Sequence, residues 1–153
     1  MDALKSLFSD FDFAAFLPKL DTVLGWIQLI CRLCVMAGPL FLLGFGLLYL
    51  LNPPKEANHS VGYRFWWSRA SLDAWQFTHK LVGIIWSVLG LGLTITMALL
   101  CNRWNLMAPM DMVWNAIVCL LWELGLSAAS CLIINVIVII VFDRNGFRRR
   151  DYH

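Results

Sequence analysis

Three stretches of this chain are too long and too apolar to sit anywhere but in a lipid bilayer. Residues 23–51 are interrupted only by Gln28 and Arg32, residues 81–101 carry no charge, and residues 113–142 carry one, Glu123. About 20 residues of helix cross roughly 30 Å of hydrocarbon, so each stretch is sufficient and the first and third are longer than needed. An open strand would leave its backbone groups unbonded in lipid, so all three are helical. The expected fold is an all-α integral membrane protein with three transmembrane helices. Composition agrees: 60% of the chain is apolar and 14% is charged, against roughly 25% charged residues in an average soluble domain. A soluble enzyme, a disordered segment and a secreted disulfide scaffold are excluded. The net charge of +2, with no long basic tract, gives no reason to expect nucleic acid as a partner.

Lys and Arg placement sets an expected orientation. With three spans, residues 52–80 and 143–153 share one side, which carries Lys55, Arg64, Arg69, Lys80, Arg144, Arg148, Arg149 and Arg150. The other side carries only Lys5, Lys19 and Arg103. The positive-inside rule places the loop and the C-terminus in the cytoplasm and the N-terminus outside. Residues 1–20 lack the features of a cleaved signal. Leu4, Leu7, Phe8, Phe11 and Ala15 recur at helical spacing, which predicts an amphipathic helix lying on the membrane surface and ending near Pro18. The alternative is a frayed terminus. The chain thus divides into an interfacial segment, 1–20, and a three-helix membrane domain, 21–153. Gly38-Pro39 offers the first helix a kink. Cys31 and Cys34 form a C-x-x-C, but inside a span, where a thiolate lacks stabilisation. All five cysteines read as small buried apolar residues. No cluster asks for a metal or a cofactor.

Two intramembrane charges are unusual. Counted from the start of their spans, Arg32 and Glu123 fall at nearly the same depth, and buried charges in lipid tend to pair or line a cavity. An Arg32–Glu123 ion pair is therefore expected, with a purely structural role as its alternative. Ala116, Cys119, Glu123, Ser127 and Ser130 lie along one face of the third helix. Gly83, Ser87, Gly90, Thr94, Ala98 and Cys101 form a small-residue stripe on the second. Helix packing explains both stripes better than a transport path does. Asn135, the one polar group further along, lies about 120° off the line at 100° per residue.

The loop, residues 52–80, is the most informative segment. Asn52-Pro53-Pro54 stops the first helix. Ser71 is a good N-cap and Asp73 follows in the first turn, so the second helix should begin at Leu72, well before its apolar part. Trp75 and His79 then share one face. Arg64 and Arg69 can reach lipid phosphates, and Phe65, Trp66, Trp67 and Trp75 suit the interface. On this reading the loop is either an interfacial anchor or a recognition surface in which Arg64 and His79 face a common pocket.

The pattern Asn58, Gly62, Arg64, Ser71, Trp75, Thr78, His79 and Gly83 resembles the SdpI family, multi-pass bacterial membrane proteins named for immunity to a sporulation-delaying toxin. Strongest over residues 35–101, the resemblance reaches the third span only through hydropathy. It suggests a short, single-module member in a bacterial plasma membrane. One departure stands out: Phe65-Trp66 replace the Thr-Pro common after the Arg. The resemblance implies resistance to a membrane-active peptide, or signalling through a sequestered cytoplasmic regulator. The motif-loop residues Asn58, Gly62, Arg64, Ser71, Trp75, Thr78 and His79 are then the candidate binding residues. Expected partners are membrane lipids, a peptide toxin or a regulator, and a second copy or another membrane subunit. The alternative function is a small oligomeric transporter or channel subunit using Arg32 and Glu123. No nucleophile–base pair or phosphate loop suggests an enzyme.

Overall fold

A computed structural model describes residues 13–54 and 62–149, with side chains of the first helix from Thr22 onward. Three long helices make the fold: α1 (Phe13–Leu51), α2 (Leu72–Arg103) and α3 (Pro109–Val141). All three are long and apolar enough to cross a membrane, over Thr22–Leu51, Leu72–Leu106 and Pro109–Val141. One 3-10 turn, Trp67–Arg69, precedes α2, and another, Trp104–Leu106, joins α2 to α3. The bundle therefore has a loop end, near residues 52–71, and a turn end, near residues 104–108.

The helices overrun the apolar stretches because hydropathy marks only the hydrocarbon layer, whereas helical backbone continues through both interfaces. Ser71 starts α2 by accepting a hydrogen bond from the Ala74 N–H at 3.1 Å, and Pro109 opens α3 where its missing N–H leaves no bond unmade. The N-terminal expectation needs correction. No separate amphipathic helix ends near Pro18, because α1 is continuous from Phe13 into its span. Pro18 removes one backbone bond near the start of a 39-residue helix, and the apolar run after it holds the helical state. Residues 1–12, with Leu4, Leu7, Phe8 and Phe11, lie outside the described residues. The helix also continues through Gly38-Pro39, and Pro39 is fully buried.

Only 22%, 22% and 17% of the three apolar windows are buried inside the bundle. Most of the apolar surface is thus left to lipid, and association depends on close fit rather than on escape from water. The fit is closest between α1 and α2, whose contact is much more extensive than either makes with α3. Gly46, Gly83 and Gly90 create it. A Cβ on Gly46 would run into the backbone of Ser87, one on Gly90 into the backbone of Leu43, and one on Gly83 would lie 2.9 Å from the Leu50 nitrogen. The small-residue stripe of α2 therefore faces α1 along most of its length, although Ala98 is exposed. On α3, Ala116, Cys119, Glu123 and Ser130 are buried and Ser127 is half-buried. At the turn end Val35, Met97, Trp104, Met112 and Ala116 share one apolar core; at the loop end Tyr49, Val82, Ile134, Val138 and Phe142 share another.

The glycine contacts predict a selective effect. Gly46→Ala and Gly90→Ala should lower the thermal midpoint of the purified protein in detergent, by an overpacking penalty of about 1–3 kcal/mol each. Gly44→Ala and Gly92→Ala, where an added Cβ meets nothing within 4 Å, should leave the midpoint unchanged or slightly raised. Equal effects at all four positions would contradict the packing described.

Candidate functional site

The first helix ends at Leu51, and at Gly62 and Tyr63 the chain is tied to α2 through His79. Both imidazole nitrogens are used. Nδ1 lies 2.8 Å from the Trp75 carbonyl, and Nε2 accepts the Tyr63 backbone N–H at 2.9 Å. An acceptor at Nε2 requires the proton at Nδ1, so these two bonds assign the neutral tautomer. His79 is fully buried, and its ring meets Trp75 at 4.2 Å and the edge of Tyr49, on α1, at 5.1 Å between centroids. One side chain thereby joins the loop, α2 and α1.

The neighbouring motif residues support that contact. Gly62 has φ +138°, in the region that favours glycine. A Cβ there would sit 2.7 Å from the Trp75 ring and 2.8 Å from His79 Nε2. Trp75 is fully buried and donates its indole N–H to the Pro54 carbonyl at 3.0 Å, securing the other end of the loop. Thr78, also buried, donates its hydroxyl to the Ala74 carbonyl at 2.7 Å. Tyr63 extends the network to α3, its hydroxyl donating to Asn135 Oδ1 at 2.8 Å and lying 3.2 Å from the Cys131 carbonyl. Burial pushes the Tyr63 phenol well above its ordinary range, so it remains a donor at neutral pH.

After Arg64 the loop makes a tight turn. Trp66 enters a 3-10 turn, and the buried Ser68 hydroxyl donates to the Phe65 carbonyl at 2.7 Å while accepting the Phe65 N–H at 3.1 Å. Phe65 stacks on Trp67 with centroids 5.7 Å apart, and Trp66 is left 80% exposed. The segment after α3 closes the same end. Gly146, at φ +82°, lets its backbone approach Ala70 and Ser71, and its carbonyl accepts the Ser71 hydroxyl at 2.7 Å. Arg148 chelates Asp73 at 2.6 and 2.9 Å, an exposed pair worth about 0.2–1 kcal/mol.

Of the candidate motif residues, the structure brings together Gly62, Trp75 and His79, with Thr78 and Ser71 on the same first turns of α2. Asn58 lies outside the described residues. Arg64 and His79 do not share a pocket, because His79 is enclosed and Arg64 is exposed. Tyr63, Ser68, Asn135 and Gly146 are additions. Asn135 alone had a sequence signal, as the one amide late in α3, and its position off the Glu123 line is what turns it toward Tyr63.

The Arg32–Glu123 ion pair does not form. Arg148 and Asp73 form a salt bridge, but Arg32 and Glu123 form none with each other among the described residues. Arg32 instead donates to Asn105 Oδ1 at 2.6 Å, and Gln28 donates to the same oxygen at 3.2 Å. Glu123 is buried against α1 at Gly38, where a Cβ would lie 2.7 Å from Oε2, and its Oε1 has no hydrogen-bond partner. Gly38 follows Arg32 by six residues, about 9 Å of helix rise. The two charges are therefore offset along the bundle axis, because α1 is displaced relative to α3 from the register implied by the apolar boundaries. Helical side chains also lean toward the N-terminus, which carries Arg32 toward the turn end and further from Glu123.

Removing the shared acceptor should free the loop. His79→Ala should raise the hydrogen-exchange rate of the Tyr63 amide by at least tenfold and increase protease cleavage between residues 52 and 71, while α3 stays protected. Gly62→Val should act in the same direction.

A family model described as the SdpI/YfhL protein family matches residues 55–142, more than half of the chain. The match runs through α2 and the whole of α3 up to Phe142, and it leaves out α1, including residues 35–51 over which the sequence resemblance was expected to extend. No curated protein and no solved structure matches the chain.

Proposed function

The chain belongs to the SdpI/YfhL protein family, and from that premise we propose that it protects a cell against a membrane-active peptide by binding, either of the peptide or of a regulatory partner protein. The supporting observation is the separation of buried from exposed groups at the loop end. Gly62, Trp75 and His79 are used internally, and they hold out an edge bearing exposed Arg64, Trp66 and Arg69. A rigid edge with an exposed indole and guanidinium groups suits recognition of a protein partner, since Trp and Arg dominate interface energetics. No chemistry is assigned to it, and the protein acts as a binder rather than an enzyme. In the proposed orientation this edge faces the bacterial cytoplasm, where a sequestered regulator would meet it.

A transporter or channel subunit is the second reading, favoured by the buried, unpartnered Oε1 of Glu123. The first reading is preferred because Arg32 and Glu123, the pair a transport path would use, are not joined.

Protection is measurable directly. Expression in peptide-sensitive cells should raise survival by at least tenfold, and His79→Ala should abolish the gain while the protein still inserts. A regulator bound at the exposed edge should be released by Trp66→Ala with Arg69→Ala. Equal survival with and without the chain would sink the resistance reading, and ion flux abolished by Glu123→Gln would replace it with transport. A fluorescent protein fused after His153 should fluoresce if the C-terminus is cytoplasmic, and an alkaline phosphatase fusion there should be inactive.

A further inference from the structure

The carboxyl of Glu123, in the middle of the bundle, is used neither by the motif loop nor by the binding function proposed above. Glu123 is 6% exposed, and its Oε1 is buried with no hydrogen-bond partner among the described residues. On α1, Gly38 leaves the space that Oε2 fills, since a Cβ there would lie 2.7 Å away. The thiols of Cys101 on α2 and Cys119 on α3 lie within electrostatic reach of the carboxyl, and Cys31 and Arg32 of α1 lie beside Cys101. Thiols bring no positive charge, and Arg32 is turned away to Asn105 Oδ1 at 2.6 Å. An isolated carboxylate in an apolar interior is far costlier than the neutral acid, so such a group takes up a proton rather than stay charged. Among the described residues no group of three His, Cys, Asp or Glu is placed to hold a metal ion. A proton, in contrast, needs only one oxygen to hold it and one acceptor. The first helix supplies the acceptor. Pro39 has no N–H, so the Val35 carbonyl, one turn earlier, is left without its helical donor. Val35 and Pro39 are both fully buried, on the turn of α1 that carries Gly38.

We propose that Glu123 is a proton-binding site, a neutral carboxylic acid whose O–H is donated to the α1 backbone at the Val35–Pro39 turn and so joins α3 to α1. The placement gives the proton a structural task, because α3 makes much less contact with the bundle than α1 and α2 make with each other. Its tie at the loop end, the Tyr63 hydroxyl on Asn135, lies twelve residues further along α3, about 18 Å of helix rise. Glu123 is the tie in the middle. Loss of its proton turns a donor into a buried anion facing a carbonyl oxygen, which pushes α3 from α1. The folded chain thus holds a proton that the unfolded chain gives up at neutral pH. Stability should therefore fall as the pH is raised. A carboxylate paired with Arg32 would give the opposite slope, with stability lost as the pH is lowered.

The test uses the full chain in lipid nanodiscs, with a membrane-soluble carbodiimide as the probe. The carbodiimide takes the proton of a neutral carboxylic acid, and the acid oxygen then adds to its central carbon. A carboxylate has no proton to give and stays unmodified. At neutral pH Glu123 should be labelled at least about tenfold faster than the exposed Asp73 and Asp111, which are ionised there, and the labelling should fade as the pH is raised. This readout uses the unaltered chain, so it does not depend on a variant folding. The infrared difference between the chain and Glu123→Gln should show the C=O stretch of a hydrogen-bonded neutral acid, and Pro39→Ala, which returns a donor to the Val35 carbonyl, should move that band toward a free acid. Glu123→Gln, neutral and of the same shape, should keep the thermal midpoint of the chain at neutral pH and lose its fall at alkaline pH. A carboxylate band at neutral pH, or no labelling of Glu123, would overturn the proposal. So would a Glu123→Gln midpoint far below that of the chain at neutral pH, or an acid band unmoved in Pro39→Ala.

Discussion

The acceptor nitrogen of His79 is the contact on which the loop end depends. In the apolar end of a bundle an unpaired backbone N–H is expensive, about 1–3 kcal/mol if nothing replaces the bond. The Tyr63 N–H is satisfied by a side chain that is itself fixed by the Trp75 carbonyl and enclosed by Tyr49 and Trp75. Gly62 must then pass over the two rings without a side chain, Tyr63 can reach Asn135 on α3, and Trp75 can hold Pro54. The motif is a latch: its buried members set the backbone, and the residues between them are held outward.

The two ends of the bundle use polar groups differently. At the loop end Tyr63, His79, Ser68, Ser71 and the turn at Gly146 are joined by hydrogen bonds, while the indole N–H groups of Trp67 and Trp86 are buried there without a partner. At the turn end and in the middle of the bundle, Asn105 Oδ1 is shared by Gln28 and Arg32, and Arg32 Nε and Glu123 Oε1 are buried and unpartnered.

Hydropathy made the three spans legible, because the bilayer penalises every other placement of such sequences. The N-cap at Ser71 and the small-residue face of α2 were legible too, since both follow from local chemistry and helical period. Relative register was not. Arg32 and Glu123 look level when counted from the apolar boundaries, yet the glycine-mediated fit of α1 on α2 fixes α1 axially and sets Glu123 opposite Gly38. No one-dimensional pattern carries that displacement. Nor does it reveal that a motif histidine points inward: the His79 role depends on Tyr63 arriving from 16 residues away. Pro18 misleads for a related reason, as a proline signals a helix end only where the flanking sequence does not insist on helix.

The latch can be tested at one atom. In the labelled full chain in lipid nanodiscs, the nitrogen resonances of His79 report its tautomer, and a coupling across the hydrogen bond reports its donor. The account predicts a neutral ring protonated at Nδ1, with Nε2 coupled to the Tyr63 amide. A ring protonated at Nε2, or one exchanging with water and showing no coupling to Tyr63, would contradict it.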